Sequence, residues 1–229
     1  MRRCLIIFFC FLIASAAGAP AQAAVFYIRG DVAGATSQYT VKAKETLYDV
    51  ARRFDLGILE LQAANPGIPV RKPAKGAVLV IPALHALPPV REGLVIDLRR
   101  LRLFYFDGTD RVYTFPIGTG KDGWQTPQGV TKIVRKKKAP SWTPPDSIRA
   151  EDPTLPAVVP PGPDNPLGQY ALYLGWSGYA MHGTNRPSSI GTRASHGCIR
   201  LYPEDIKVLF EIVEPGTQVV ILGESGAPD

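Results

Sequence analysis

Cysteine is scarce in this chain: three residues among 229, at positions 4, 10 and 198. None is paired in a Cys-x-x-Cys spacing, which excludes the usual structural zinc frameworks. So few cysteines also exclude a disulfide-stapled scaffold. Long apolar runs are missing too. The longest, Leu5 to Ile13, falls short of the about 20 residues that a membrane-spanning helix needs. Histidine appears only three times, and acid is in mild deficit, with 20 Asp and Glu against 26 Lys and Arg. No internal repeat is evident.

What is present begins with Met1-Arg2-Arg3, the short apolar run, and small residues ending Ala21-Gln22-Ala23. A basic start, a brief apolar core and an A-x-A site are the marks of a cleaved secretory leader, here residues 1–23. Cys10 follows two phenylalanines, where a lipid-anchored leader wants a small residue. Cleavage after Ala23 removes Cys4, Cys10 and two arginines, leaving 24 basic and 20 acidic residues, a net +4. Cys198 is then the only thiol, and in an oxidising compartment it is either inert and buried or reactive. Export opposes nucleic acid as a partner. Mild basicity suits anionic envelope material, and a solvated basic surface gives the same charge.

Two modules follow. Leu47, Val50, Ala51 and Phe54 fall at i, i+3, i+4 and i+7, one face of a helix. A second short helix near Ile58–Ala64 stops at Asn65-Pro66-Gly67, and Tyr39–Val41 and Val78–Ile81 are β-type runs. The pattern predicts a small α+β unit, βααβ, over 38–83. Residues 84–92, inside "IPALHALPPVREG", are proline-rich and aperiodic, a linker. From 93 to 222 the chain reads as mainly β: "GLVIDL", "LRLFYF", "RVYTFPIG", "GVTKIV", "YALYLG", "GYAMH" and "QVVIL", with one late helix in "YPEDIKVLFEIV" and a tail over 223–229. Basic residues Arg135–Lys138 read first as a solvated strand end and second as a contact with anionic envelope material. Between Ala139 and Leu167 lie nine prolines. A loop of that length carrying Trp142, Ile148, Leu155, Val158 and Val159 is too apolar for a disordered tether, so 139–167 is expected to be an ordered, lid-like insertion.

The chemistry gathers in "HGTNRPSSIGTRASHGCIRL", residues 182–201. A cysteine is a good nucleophile only as thiolate, and an imidazole can take its proton. His182 ends one predicted strand, and His196 and Cys198 open another. Adjacent strands would bring His182 beside Cys198. No acidic residue lies near His182, so its orienting partner is expected to be a carbonyl, most simply that of Gly183. The amides of Gly197 and Cys198 are candidate oxyanion donors. Other readings stay open at this level. Cys198 serves equally as a small core residue, and His182, His196 and Cys198 supply three zinc ligands where a structural site wants four. Arg200 suits either an ion pair with Glu204 or Asp205 or a clamp on a substrate carboxylate.

The run from His182 through Ser-His-Gly-Cys-Ile-Arg, residues 195–200, resembles the signature of the L,D-transpeptidase, or YkuD, family, over about 91–222. "FPIGTG", "TPQG", "SWTPP" and "LPAVVPPGPDNPLG" make the chain similar to the periplasmic, LysM-bearing Gram-negative members. "YTVKAKETL", "ANPGI" and "VLVIP" resemble the LysM module. The resemblance implies a β-sandwich-like catalytic domain, with Cys198 as nucleophile, His182 as base and the Gly183 carbonyl as orienter. It places His196 and Gly197 at the oxyanion site, and gives Ser195 and Arg200 to the motif. The spacer from His182 to Ser195 is short for the wider family. It further implies peptidoglycan as partner: glycan for LysM, stem peptides for the active site, and stem amines or an envelope lipoprotein as acyl acceptor. No metal or cofactor is implied. A cysteine hydrolase of the wall-cutting type usually places its cysteine before its histidine, the reverse of this order. A hydrolytic member of the same family, or a non-catalytic wall-binding protein, shares most of these features.

Overall fold

The computed structural model describes residues 24–223. The leader expected over 1–23 and, Gly223 apart, the expected tail lie outside them. A hairpin opens the fold, β1 (Ala24–Arg29) and β2 (Val32–Gly34). The small module follows as β3 (Ser37–Thr40), α1 (Leu47–Arg53), α2 (Ile58–Ala64) and β4 (Val78–Ile81). Thr46 caps α1: its Oγ1 accepts the Asp49 amide at 3.2 Å while Asp49 Oδ2 accepts the Thr46 amide at 2.8 Å. Leu47, Val50, Leu61, Leu79 and Ile81 form a core of their own. Asn65 explains the Asn-Pro-Gly stop. Its side-chain amide donates to the Leu61 and Val80 carbonyls and its carbonyl accepts the Val80 amide, each at 2.8 Å, tying the end of α2 to β4.

The remainder runs β5 (Leu84–Ala86), β6 (Gly93–Asp97), β7 (Arg102–Phe106), β8 (Arg111–Pro116), β9 (Thr119–Gly120), β10 (Gly129–Lys138), α3 (Asp146–Glu151), β11 (Tyr170–Leu174), β12 (Ala180–His182), β13 (Arg193–Ser195), β14 (Ile199–Arg200), α4 (Pro203–Ile212) and β15 (Gln218–Leu222). Hydrogen bonding links β14-β12-β11-β10-β15-β6-β7-β8-β1-β2-β5 in that order, and β9 pairs with β13 apart. At the centre β15 lies parallel to β6. Leu94, Ile96, Val219 and Ile221 face a core shared with α4 residues Ile206 and Leu209. Val95, Val220 and Leu222 face the other side, against Phe104, Phe106 and Val112. Burial on both faces is why these strands read as unbroken apolar runs rather than alternating ones.

The ten-residue β10 turns the corner. Gly129–Lys132 pair with β15, whereas Ile133 and the residues from Arg135 to Lys138 pair with β11, across a register irregularity between Ile133 and Arg135. An irregularity of that kind lets one strand leave one sheet and enter the other, which makes the architecture sandwich-like. The fold is mainly β, as the sequence leads one to expect.

Three local features differ from expectation. Residues 84–92 include β5, paired with β2, and Leu87 is buried on the back of the main sheet. A three-residue strand between prolines is too short to show a period, and its partner lies ahead of the small module. Helix α3, inside the proline-rich insertion, joins the single late helix that the pattern announces. Lys136, in the basic run, is not merely solvated: its Nζ donates to the Phe210 and Val213 carbonyls at 2.9 and 2.7 Å, capping the end of α4.

The small module is docked, not dangling. Arg52 grips Glu204 through Nε and Nη2, both at 2.7 Å, and Tyr202 Oη donates to the Leu56 carbonyl at 3.2 Å. The Ile58 amide donates to the Ile190 carbonyl at 3.3 Å. Gly57 meets Gly191 backbone to backbone, and a Cβ on Gly191 would stand 2.4 Å from Gly57 Cα. Gly191 also has φ +81°, a left-handed conformation that favours glycine. Gly191→Ala is therefore expected to destabilise the protein by about 2–4 kcal/mol. Urea unfolding would read this, and an unchanged midpoint would mean that the contact between the modules contributes nothing to stability.

Candidate active site

The pairing that sequence cannot prove is present. Strands β12 and β14 run parallel, with Met181 opposite Ile199 and His182 opposite Arg200. Cys198 immediately precedes β14, two residues from Arg200, so it lies one diagonal step from His182. His182 is buried, and its Nδ1 lies 2.6 Å from the Gly183 carbonyl. A carbonyl only accepts, so Nδ1 carries the proton and Nε2 is left as the basic nitrogen. Burial pushes this imidazole down to about 4, with Arg200 adding to the effect and the Gly183 carbonyl opposing it. The ring is neutral at neutral pH.

The thiol is held neutral too. Burial pushes Cys198 above the ordinary thiol range, against the smaller opposing pulls of the Ala180 amide and Arg200. Its Sγ donates to the Gly178 carbonyl at 3.6 Å. This resting state is a neutral thiol beside a neutral base. Catalytic hydrogen bonds of this kind commonly tighten only when substrate is bound.

The turn bearing Cys198 is tied from within. Ser195, buried, donates Oγ–H to the Cys198 carbonyl at 2.5 Å and accepts the Gly197 amide at 3.2 Å. Gly197 has φ +100°, and a Cβ there would meet the Tyr179 ring at 2.8 Å. Of the two amides expected to hold an oxyanion, Gly197 N–H is thus engaged by Ser195. Cys198 N–H has no such bond among the described residues. Thr126 closes the turn from outside, donating to the Gly197 carbonyl at 2.9 Å and accepting the Gly120 amide at 3.1 Å.

Two expected residues point elsewhere. His196 sits edge-on to Trp124, with ring centroids 4.8 Å apart, and its Nε2 lies 2.9 Å from Glu151 Oε2. It does not converge with His182 and Cys198 as a metal ligand would, and no such three-residue group exists among the described residues. Arg200 pairs with neither Glu204, which Arg52 holds, nor Asp205, and its buried Nε has no hydrogen-bond partner. The ion-pair reading of Arg200 is therefore not realised, because helix α4 turns its acidic residues toward the small module.

The proline-rich segment is ordered. Trp142 and Val159 exchange backbone hydrogen bonds at 2.9 and 2.8 Å. Asn165, fully buried, donates Nδ2 to the carbonyls of Pro140, Val159 and Pro160 and accepts the Leu167 amide. At the end of α3, Glu151 reaches back toward the turn that bears Cys198, accepting from Trp124 Nε1 at 3.1 Å and Lys121 Nζ at 3.3 Å besides facing His196. Chiefly through His196, these partners hold its carboxyl below the usual range. No local signal in the sequence marks Glu151, Trp124, Lys121 or Thr126 as site residues. Only the fold assembles them.

Comparison with known proteins agrees with this geometry. A family model described as the L,D-transpeptidase catalytic domain, YkuD, matches residues 91–221, and one described as the LysM domain matches residues 39–82. The chain is 48% identical over 181 residues to the probable L,D-transpeptidase YbiS of Escherichia coli (strain K12), covering 76% of this chain and 59% of that protein. It is 45% identical over 185 residues to the probable L,D-transpeptidase ErfK/SrfK of Salmonella typhimurium, covering 78% and 60%. The putative L,D-transpeptidase YkuD of Bacillus licheniformis is 35% identical over 185 residues, covering 80% and 97%. The chain thus spans about three fifths of the length of the first two relatives.

With both partners neutral at rest, iodoacetamide is expected to alkylate Cys198 slowly at pH 7, with a rate still rising at pH 9. A rate that levels off near neutrality would instead reveal a preformed thiolate–imidazolium pair.

Proposed function

The chain belongs to the L,D-transpeptidase (YkuD) family, and we propose that it acts on peptidoglycan as an L,D-transpeptidase with Cys198 as nucleophile. The observation that carries this reading is the neutral His182, fixed by the Gly183 carbonyl on the strand beside Cys198. As a peptide stem binds, Nε2 of His182 takes the Sγ proton, and the thiolate attacks the carbonyl of the third residue of a tetrapeptide stem. The tetrahedral oxyanion is held by the Cys198 amide, in a turn shaped by Ser195, His196 and Gly197. Collapse breaks the peptide bond, the imidazolium returns its proton to the departing D-alanine amine, and a thioester remains. An amine then attacks the thioester, loses a proton to His182, and releases Cys198. Arg200 supplies a fixed positive charge for a stem carboxylate.

The acceptor is the side-chain amine of diaminopimelate on another stem, giving a 3→3 cross-link, or a lysine of an envelope lipoprotein. The LysM module binds the glycan. The leader-like residues 1–23 direct export to the periplasm, where these substrates lie. No step calls for a metal or an organic cofactor.

The proline-rich segment limits water at the thioester, held over the loop by Glu151. Mass spectrometry of the mature protein with disaccharide-tetrapeptide tests the acylation. An adduct lacking the terminal D-alanine is expected, absent in Cys198→Ala and formed about 10²–10⁴-fold more slowly in His182→Gln. Dimeric product identifies the stem amine as acceptor. Tripeptide alone means hydrolysis, or an acceptor protein missing from the tube, and no adduct returns the chain to a wall-binding role. Glu151→Gln removes the charge that anchors the lid. It is expected to lower the ratio of transfer to hydrolysis with little change in acylation rate, and an unaltered ratio would remove the lid from the mechanism.

A further inference from the structure

We infer that cleavage before Ala24 creates a structural ion pair: the new α-ammonium of Ala24 becomes the cation of a buried carboxyl pair, Asp55 and Asp205, where the LysM module meets the catalytic domain. This rests on the reading of residues 1–23 as a removable leader. It concerns a part of the molecule that the proposed chemistry does not use.

The geometry begins with β1. Ala24 opens that strand opposite Thr114 of β8, and its backbone nitrogen lies 3.1 Å from Asp55 Oδ2. Asp55 occupies the turn between α1 and α2, and Asp205 the first turn of α4; their exposures are 5% and 1%. The two carboxyl groups interact, and burial together with Asp55 raises Asp205 well above the ordinary carboxyl range, so Asp205 keeps its proton. Nothing else completes the pair: Asp55 Oδ1 and Asp205 Oδ2 receive no N–H or hydroxyl from another side chain or backbone among the described residues.

The nearby cations make their hydrogen bonds to other groups, and Arg102 Nε is left without a partner. Arg102, itself fully buried, directs Nη2 to Glu60 at 2.8 Å and to the backbone carbonyl of Asp55 at 3.1 Å, and Nη1 to Thr114 Oγ1 at 3.2 Å. Arg52 is bound to Glu204. His85, beside Glu60, is kept neutral, its pKa lowered to about 2 chiefly by burial. A buried carboxylate without a bonded cation is expensive, and burial raises Asp55 to about 6 despite Arg102 and the Ala24 amide.

In the uncleaved chain the Ala24 nitrogen is a neutral amide with one proton. Hydrolysis of the Ala23–Ala24 bond by a leader peptidase consumes one water, leaving a carboxylate on Ala23 and three donors with a full positive charge on Ala24. That charge arises at the atom already placed against Asp55. One ammonium then joins β1, the LysM turn and the start of α4, whose chain continues directly from Arg200 and Cys198. Leader removal tightens the docking of LysM beside the active site.

Intact-mass analysis of the exported protein should first give a chain beginning at Ala24. Two forms are then compared: a chain released from a fusion so that it starts at Ala24, and the same chain preceded by Gly-Ser, which restores the amide. The free-amine form is expected to melt roughly 2–4 °C higher at pH 7, and the gap should close when both carry Asp55→Asn. If Asp55→Asn does not fold, reductive methylation of the α-amine replaces it: the Ala24 amine should be protected in the native free-amine form and reactive once unfolded. Equal melting temperatures, a gap that survives Asp55→Asn, or a fully reactive native amine would overturn the ion pair alone. An exported chain starting elsewhere would overturn the leader reading and the ion pair with it.

Discussion

The arrangement of the site depends on a very short interaction, the parallel pairing of β12 with β14. Only two pairs of residues face each other, Met181 with Ile199 and His182 with Arg200. Strands this short are not stable by their ladder alone. They persist because Met181, Ile199 and Leu201 are fully buried in the core beneath α4, and because neighbouring chain braces both ends. The Leu201 amide donates to the His182 carbonyl, and Gly118 and Arg200 exchange backbone bonds at 2.8 and 2.9 Å. Core packing thus sets the separation of His182 and Cys198. The two side chains contribute little to holding themselves in place.

Burial also decides protonation. The same apolar surroundings that fix His182 and Cys198 disfavour charge on either. At rest the thiol of Cys198 is therefore neutral and weakly reactive. Arg200 lies close by, and the proline-rich segment, through Glu151, meets the outer rim of the turn at His196. Two layers result: an inner apolar one and an outer polar one.

Much of this was legible in the sequence, for identifiable reasons. The βααβ module was readable because its helix stripe, Leu47 to Phe54, and its Asn-Pro-Gly stop are local signals. The core strands were readable because burial on both faces leaves long apolar runs. His182 and Cys198 stood out through residue type and glycine spacing. What escaped depends on distant partners. Strand β5 has its mate in the opening hairpin, and Lys136 finds its carbonyls at the far end of α4. Glu151 meets His196 only after the proline-rich segment folds back. The Gly197 amide looked free because the reach of Ser195 across its own turn cannot be read from letters. An ion pair for Arg200 looked as open as a clamp because Glu204 and Asp205 are close in sequence, yet the helix carries both toward the other module.

The meeting of Gly57 with Gly191, backbone on backbone, reaches beyond stability. A wall-binding unit on a flexible string would let an active site sweep every stem within its radius. One seated this closely behaves as a ruler. If the module binds glycan as proposed, that glycan would meet the thiol at one offset and one angle, so stems would be sampled by their position along it as well as by their chemistry.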